Sequence, residues 1–306
     1  MQAVAILSIL LLLVFGAWLA AVFDRAGAAL VAGDRIRTAA LRRLHDVAAH
    51  LIRQTSTTEA PDRLNWRLAP VAYLILAALG LSVVPFAPNV VAADFDTGIV
   101  LWGACEALTV VVVFLHGWSA NSEFPLIGGY RYVAIGLPVM LISMFVLIAA
   151  ALPAESLSVA AVVESQRELW NVVRQPIGLP LFLLLGLSLT LRGPFDYADS
   201  EDLIGGTRSE ASGAQLATWQ FARFAMLVSV AVMASAVFLG GYLGPVLPGA
   251  VWLILKSSVV LAVLVAAGHL LARMPPSRMM TFIWTVLLPL SFLDLVLVGA
   301  ELLLWG

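Results

Sequence analysis

Eight stretches of this 306-residue chain are too long and too continuously apolar to be the core of a water-soluble domain. They run over about 4–23, 68–88, 98–117, 132–153, 178–191, 219–243, 249–272 and 282–304. A helix of ~20 apolar residues crosses the hydrocarbon of a bilayer. In lipid, where no water competes for hydrogen bonds, a helix satisfies its own backbone. The expected fold is therefore an all-α integral membrane protein with eight transmembrane helices. No internal repeat, low-complexity tract or linker divides it, so residues 1–306 are read as one membrane domain. The fifth run is short, and is expected to begin deeper, to tilt, or to be covered by its neighbours. No basic residue precedes the first run, which is read as a retained span rather than a cleaved signal.

The remaining residues carry the orientation. Only 12% of the chain is charged, and its formal net charge of −2 gives no argument for nucleic-acid binding. The single Cys105 excludes a disulfide or thiolate-ligated cluster within the chain, and no His, Cys or carboxylate spacing points to a metal. Arg25, Arg35, Arg37, Arg42, Arg43, Arg53, Arg63 and Arg67 follow the first span, whereas 87–97 holds Asp94 and Asp96 and no base. Basic loops stay inside. The first loop, and by alternation 117–131, 192–218 and 273–281, is thus expected on the cytoplasmic side of a cytoplasmic (inner) membrane, with both termini outside. In 39–53, Leu41, Leu44, Ala48, Leu51 and Ile52 share one helical face and Arg42, Arg43, Asp46 and Arg53 lie away from it, as in a helix resting on a membrane interface. Residues 155–174 read as a second such helix, on the outer side.

The densest charge lies in GPFDYADSEDLIGGTRSEASG, residues 193–213, with five carboxylates and one arginine. Together with Arg192, this segment resembles the R-x-P-F-D, acidic, and G-x-x-x-E-Y-S-G sequence of the H subunit of bacterial NADH-quinone oxidoreductase, the counterpart of subunit 1 of respiratory complex I. That protein is itself related to the membrane anchor of formate hydrogenlyase and other group 4 hydrogenases. Asp62-Arg-Leu-Asn-Trp-Arg-Leu-Ala-Pro70, Gly117-Trp-Ser-Ala-Asn-Ser-Glu-Phe-Pro-Leu-Ile-Gly-Gly-Tyr-Arg131, Phe238-Leu-Gly-Gly-Tyr242, Lys256 and Trp284-Thr-Val-Leu-Leu-Pro289 are similar to further landmarks of the same family, in the same order.

The resemblance implies a membrane-anchor subunit that docks a peripheral electron-transfer arm and helps couple electron transfer to ion translocation. It implies no cofactor bound by this chain, a quinone at a subunit interface, and iron–sulfur clusters in partner subunits. The implied partners are homologues of the peripheral iron–sulfur and large subunits of complex I or group 4 hydrogenases, antiporter-like membrane subunits and the bilayer. Arg192, Asp196, Asp199, Glu201, Asp202, Arg208 and Glu210 would form the coupling loop, and Asp46, Arg63, Arg67, Asn121 and Arg131 the cytoplasmic docking surface. Acids crowded at such a seam are expected to have raised pKa values, because like charges and burial both disfavour ionisation.

The chain also departs from the pattern. Met140 and Leu189 stand where most of the family has glutamates, and Arg223 reverses the charge of a third; Ala32-Gly-Asp-Arg-Ile-Arg37 replaces a turn that rims the quinone entrance. Neither methionine nor leucine binds a proton. The intramembrane ionisable residues left are Glu106, Arg223, Lys256 and Asp294. They are expected either to pair, as Glu106 with Lys256 or Arg223, or to form an alternative proton path. Two further readings stand beside the first: a secondary transporter gated by the acidic loop, though no repeat symmetry supports it, and a membrane scaffold that has lost ion coupling.

Overall fold

The computed structural model describes residues 2–33, 49 and 51–305. Among these the chain is helical, with no strand beyond an isolated bridge between Ala87 and Val90. Seven stretches are long and apolar enough to cross a membrane. Six of these are the helices α1 (Gln2–Ala32), α2 (Arg63–Ser82), α3 (Gly98–Ser119), α4 (Glu123–Ala151), α8 (Gly213–Phe238) and α9 (Gly249–Leu270). The seventh, Pro276–Leu304, joins α10 (Pro276–Phe282) through a π turn (Ile283–Leu287) to α11 (Leu288–Trp305). Between α4 and α8 lie the short helices α5 (Val159–Glu164), α6 (Asn171–Arg174) and α7 (Gly178–Leu189).

The helix α8 is the centre of the bundle, packed against α1, α2, α7 and α9. Its buried face is built from small residues, among them Ala222, Ala225, Ser229, Ala231, Ala234 and Ala236. Small side chains let helix backbones approach closely where lipid supplies no hydrophobic drive between helices. Ser229 Oγ uses that proximity to donate to the Ala77 carbonyl of α2 at 3.0 Å. The outer surfaces of α1, α9 and α11 instead expose Leu11, Phe15, Ile254, Val259, Phe292 and Leu297, as lipid-facing helices do.

The fifth expected span is where the structure departs from eight regular crossings. At 12 residues, α7 is ~18 Å long, against ~30 Å of hydrocarbon. It is covered by neighbours, and the chain continues past it as buried irregular backbone through Asp199. Non-helical backbone at membrane depth is tolerated where protein surrounds it and supplies hydrogen bonds. Here Arg223 of α8 supplies them, its guanidinium donating to the Thr190 carbonyl from Nε (3.2 Å) and Nη2 (3.0 Å) and to the Leu191 carbonyl (2.5 Å). A cation beneath the last carbonyls of a helix also meets the negative end of its dipole.

Of the two expected surface helices, one falls largely outside the described residues and the other is broken. The helix over 39–53, with Asp46 in it, lies outside the described residues apart from 49 and 51–53. The helix over 155–174 is not continuous: it breaks into α5 and α6, because Gln166 turns inward and ties separate elements together. Its Nε2 donates to the carbonyls of Val162 (3.0 Å) and Ala236 (2.9 Å), and its Oε1 accepts from the amides of Asn171 and Gly240.

Candidate functional site

The segments after α1, α3, α7 and α9 gather at one end of the bundle. Thr58 Oγ1 donates to the Ala120 carbonyl (2.6 Å), the Ser56 amide to Ser212 Oγ (2.8 Å), and Ser122 Oγ to Glu210 (2.9 Å). Arg131 of α4 bonds Ser200 (3.0 Å) and pairs with Asp202 (2.7 Å). The 198–207 stretch lies this close to α4 at Gly128 and folds back on itself at Gly206. A Cβ on Gly128 would sit 2.4 Å from the Ala198 carbonyl oxygen, and one on Gly206, whose φ is +54°, only 1.7 Å from the same atom.

Beneath this roof is a chamber of about 390 Å³ between α1, the 191–208 loop, α8 and the end of α9. Its wall carries Asp24, Arg25, Arg192, Asp196, Asp199, Arg208, Arg223, His269 and Arg273, with Ala28, Leu191 and Phe224 as apolar patches. Arg192 bonds Asp24 of α1 at 2.7 Å and lies over the Phe224 ring, 5.2 Å from its centre. His269 Nε2 is 3.2 Å from the same Asp24 oxygen. Asp199, almost wholly buried, accepts from Arg223 (2.8 Å) and from the Thr207 hydroxyl (2.5 Å), with Arg208 at 3.9 Å. Arg273 spans Asp196 (3.0 Å) and Glu201.

The carboxylates of the loop therefore do not crowd one another. Asp196, Asp199, Glu201 and Asp202 each meet an arginine, delivered by α4, α8 or the segment after α9, and Glu210 meets a serine hydroxyl. At Asp202 the expected rise by mutual repulsion is reversed. The Arg131 hydrogen bond, helped by Ser200, instead holds Asp202 below the usual aspartate value. Tyr197 is buried in the same loop. Its hydroxyl is 2.7 Å from Ser188 Oγ of α7, and its ring stacks on Tyr132 of α4.

Of the proposed docking residues, Arg63 and Arg67 are exposed on the first turns of α2, and Asn121 is exposed at a left-handed position (φ +48°) after α3. The intramembrane residues separate. Glu106 of α3 is buried and pairs with neither Lys256 nor Arg223; it accepts from the Trp102 indole and from Ser143 Oγ of α4 (2.7 Å). Lys256 spends its ammonium on the carbonyls of Leu239 (2.6 Å), Gly241 (3.1 Å) and Leu243 (2.7 Å) under the Trp170 ring, at the other end of the bundle. Asp294 is buried against α7. Sequence reasoning overlooked Asp24, His269 and Arg273. Each stands at the end of an apolar run, where a polar residue reads as the boundary of a span rather than as the wall of a chamber.

A family model described as NADH dehydrogenase matches residues 1–299. The H subunit 1 of NADH-quinone oxidoreductase from Rhodopseudomonas palustris (strain HaA2) is 34% identical over 255 residues, which are 83% of this chain and 80% of that protein. The H subunit 2 of the same enzyme from Cereibacter sphaeroides (strain ATCC 17029) is 33% identical over 253 residues, 82% and 80% of the two chains. The H subunit from Geobacillus kaustophilus is 31% identical over 263 residues, 84% and 79%.

Proposed function

The chain belongs to the NADH dehydrogenase family, alongside the H subunit of NADH-quinone oxidoreductase, and from that premise we propose that it is the membrane-anchor subunit of a complex I-like assembly. Its loop end is the cytoplasmic face, in keeping with the positive-inside rule: Arg131, Arg192, Arg208 and Arg273 cluster there, whereas the opposite end carries Arg167, Arg174 and Lys256. In this reading α7 with the buried 190–199 segment is the eighth crossing, the termini lie outside, and the partners are peripheral subunits that carry the iron–sulfur clusters.

The observation that carries the reading is the arginine-walled chamber at the seam between bundle and loops. A peripheral subunit seated on exposed Ile204, Glu201 and Arg63 would close its roof. Its volume and its mix of guanidinium donors with Phe224, Ala28 and Leu191 suit a quinone head, whose oxygens accept hydrogen bonds. When bound, a quinone supplies the electron acceptor. This chain's part is to orient the ring through Arg192, Arg223 and His269 and to hold counter-charges nearby. Coupling in this chain would use Glu106, with Ser143, Tyr132, Tyr197 and Ser188 as the polar groups between it and the loop, since Met140 and Leu189 carry no proton.

The test is affinity purification of the tagged chain from native membranes in mild detergent, with a photoreactive group at Ile204. Cross-links to cluster-bearing subunits are expected. Stable isolation of the chain alone, with substrate-dependent transport in vesicles, would replace the reading with the transporter. Glu106→Gln in the intact complex is expected to leave electron transfer in place and abolish proton translocation; unaltered translocation would favour the scaffold.

A further inference from the structure

A second cavity, of about 340 Å³, lies between α1, α8 and α9, in the half of the bundle away from the loops. Phe15 of α1 and Ile254 of α9, both more than half exposed, stand at its rim, while Ala231 of α8 and Phe86 are buried behind it. At Gly16 a Cβ would lie 2.8 Å from Val228 Cγ1, so α1 is sealed against α8 there. The exposed rim belongs to two helices whose outer surfaces face lipid, so entry is from the hydrocarbon. None of the lining residues is charged.

One polar group in the lining is left without a use. Ser257 of α9 is 6% exposed, and its hydroxyl has no hydrogen-bond partner among the described residues. Other buried serines of the spanning helices are all occupied: Ser143 donates to Glu106 (2.7 Å), Ser229 to the Ala77 carbonyl (3.0 Å) and Ser235 to the Ala231 carbonyl (2.8 Å). Even the neighbouring Ser258 donates to the Ile254 carbonyl (2.7 Å). A buried donor with no acceptor is costly, and the bilayer core supplies no water to take it up.

The occupant that fits is defined by these features together. An uncharged wall selects a neutral molecule, and an apolar space of this volume selects a lipophilic small molecule, since ordered water needs several polar partners. The unpaired hydroxyl calls for an acceptor oxygen. Depth then separates the acceptors. Ser257 follows the first residue of α9 by eight positions, ~12 Å along the axis, and lies deeper than Trp252, whose indole belongs to the polar interface. The ester of a phospholipid stays at that interface, so the acceptor reaching Ser257 belongs to a molecule dissolved in the hydrocarbon.

We propose that the cavity between α1, α8 and α9 binds one neutral lipophilic molecule that places a ketone-type carbonyl oxygen on the Ser257 hydroxyl. It stands independently of the functional reading above, since neither the polar chamber nor a redox partner enters it.

The probe is benzophenone, a neutral ketone that attaches to nearby C–H groups on irradiation. Native membranes containing the full chain are irradiated over a range of probe concentrations, and the peptides 257–273 and 279–306 are followed by mass spectrometry. Labelling of 257–273 is expected to saturate, whereas that of lipid-facing 279–306 rises in proportion to probe. Fluorenone, which has the carbonyl, and fluorene, which lacks it, then compete for the site. One hydrogen bond of this kind makes fluorenone about two- to tenfold the better competitor. Ser257→Ala is expected to erase that difference while leaving saturation in place, and Ile254→Trp, which fills the rim, to remove the saturable labelling. Labelling of 257–273 that never saturates, or equal competition by the two compounds in the native chain, overturns the proposal, because the space is then merely filled by acyl chains or selects no acceptor. The comparison of competitors needs no variant to fold.

Discussion

Replacing Arg223 by methionine isolates the contact on which the irregular 190–208 backbone most depends. The guanidinium is 13% exposed and its partner Asp199 is 2% exposed. Removing one member of a buried ion pair costs about 3–5 kcal/mol, because the other charge stays buried without its counterpart. Here the lower figure is expected: both residues line the chamber, so water reaches Asp199, which also keeps the Thr207 hydroxyl and the more distant Arg208. Asp199→Asn is milder, at about 1–2 kcal/mol, because Arg223 retains the Thr190 and Leu191 carbonyls. In the double variant no charge is left stranded at this contact. Its loss is expected to fall short of the sum of the single losses by about 2 kcal/mol, some thirtyfold in the folding equilibrium. Reversible unfolding in mixed micelles, with hydrogen exchange of 190–208 as the local readout, measures the cycle. Additivity to within about 0.5 kcal/mol would show that the pair is effectively solvated and that Arg223 does not hold the loop.

Lys256→Met strands the carbonyls of Leu239, Gly241 and Leu243; a loss of about 3 kcal/mol is expected, with proteolysis of 239–248 quickened, and an unchanged cleavage rate would contradict it. Gly206→Ala forces a Cβ onto the Ala198 carbonyl at a left-handed position and should cost more than ~3 kcal/mol, releasing 198–209 from α4 in hydrogen exchange. The folded Asp202 carboxyl is held below its unfolded value of ~3.9. Its ion pair with Arg131 therefore adds stability above that pH and loses it as pH falls through the folded value. Amide protection in 200–209 should hold from neutrality to about pH 5 and fall away below about 4, and Arg131→Gln should flatten that response; an identical response in the variant would refute it.

The long apolar runs were legible as helices because lipid leaves the backbone few alternatives, and seven such helices span what the runs outlined. The fifth run was legible only as too short. What completes it is a side chain from α8, more than thirty residues further along, capping carbonyls that no local pattern marks. The loop acids were legible as a cluster, and their partners were not. Arg131, Arg223 and Arg273 lie on three separate elements, and pairing across a bundle leaves no spacing in the sequence. The same limit explains Glu106, whose carboxylate is satisfied by Trp102 one turn behind it and by Ser143 on α4. Its expected ion pair with Lys256 fails because Lys256 is held by carbonyls at the far end.

The charge reversal at residue 223 becomes intelligible from this arrangement. The resemblance puts a glutamate there, where this chain has an arginine between the last carbonyls of α7 and the buried Asp199. Restoring a glutamate alone would set two carboxylates against each other and a third negative end, the α7 carbonyls, against both. Position 223 and the 190–199 backbone are thus one electrostatic unit. At 140 and 189, where the resemblance also puts glutamates, this chain has apolar side chains that need no counter-charge, whereas at 223 it has a cation that supplies one. On the resemblance, position 223 holds a structural cation in place of a protonatable group, and a carboxyl free of any arginine stands elsewhere in the bundle, at Glu106. That carboxyl is held between α3 and α4, by the Trp102 indole on its own helix and the Ser143 hydroxyl on the next.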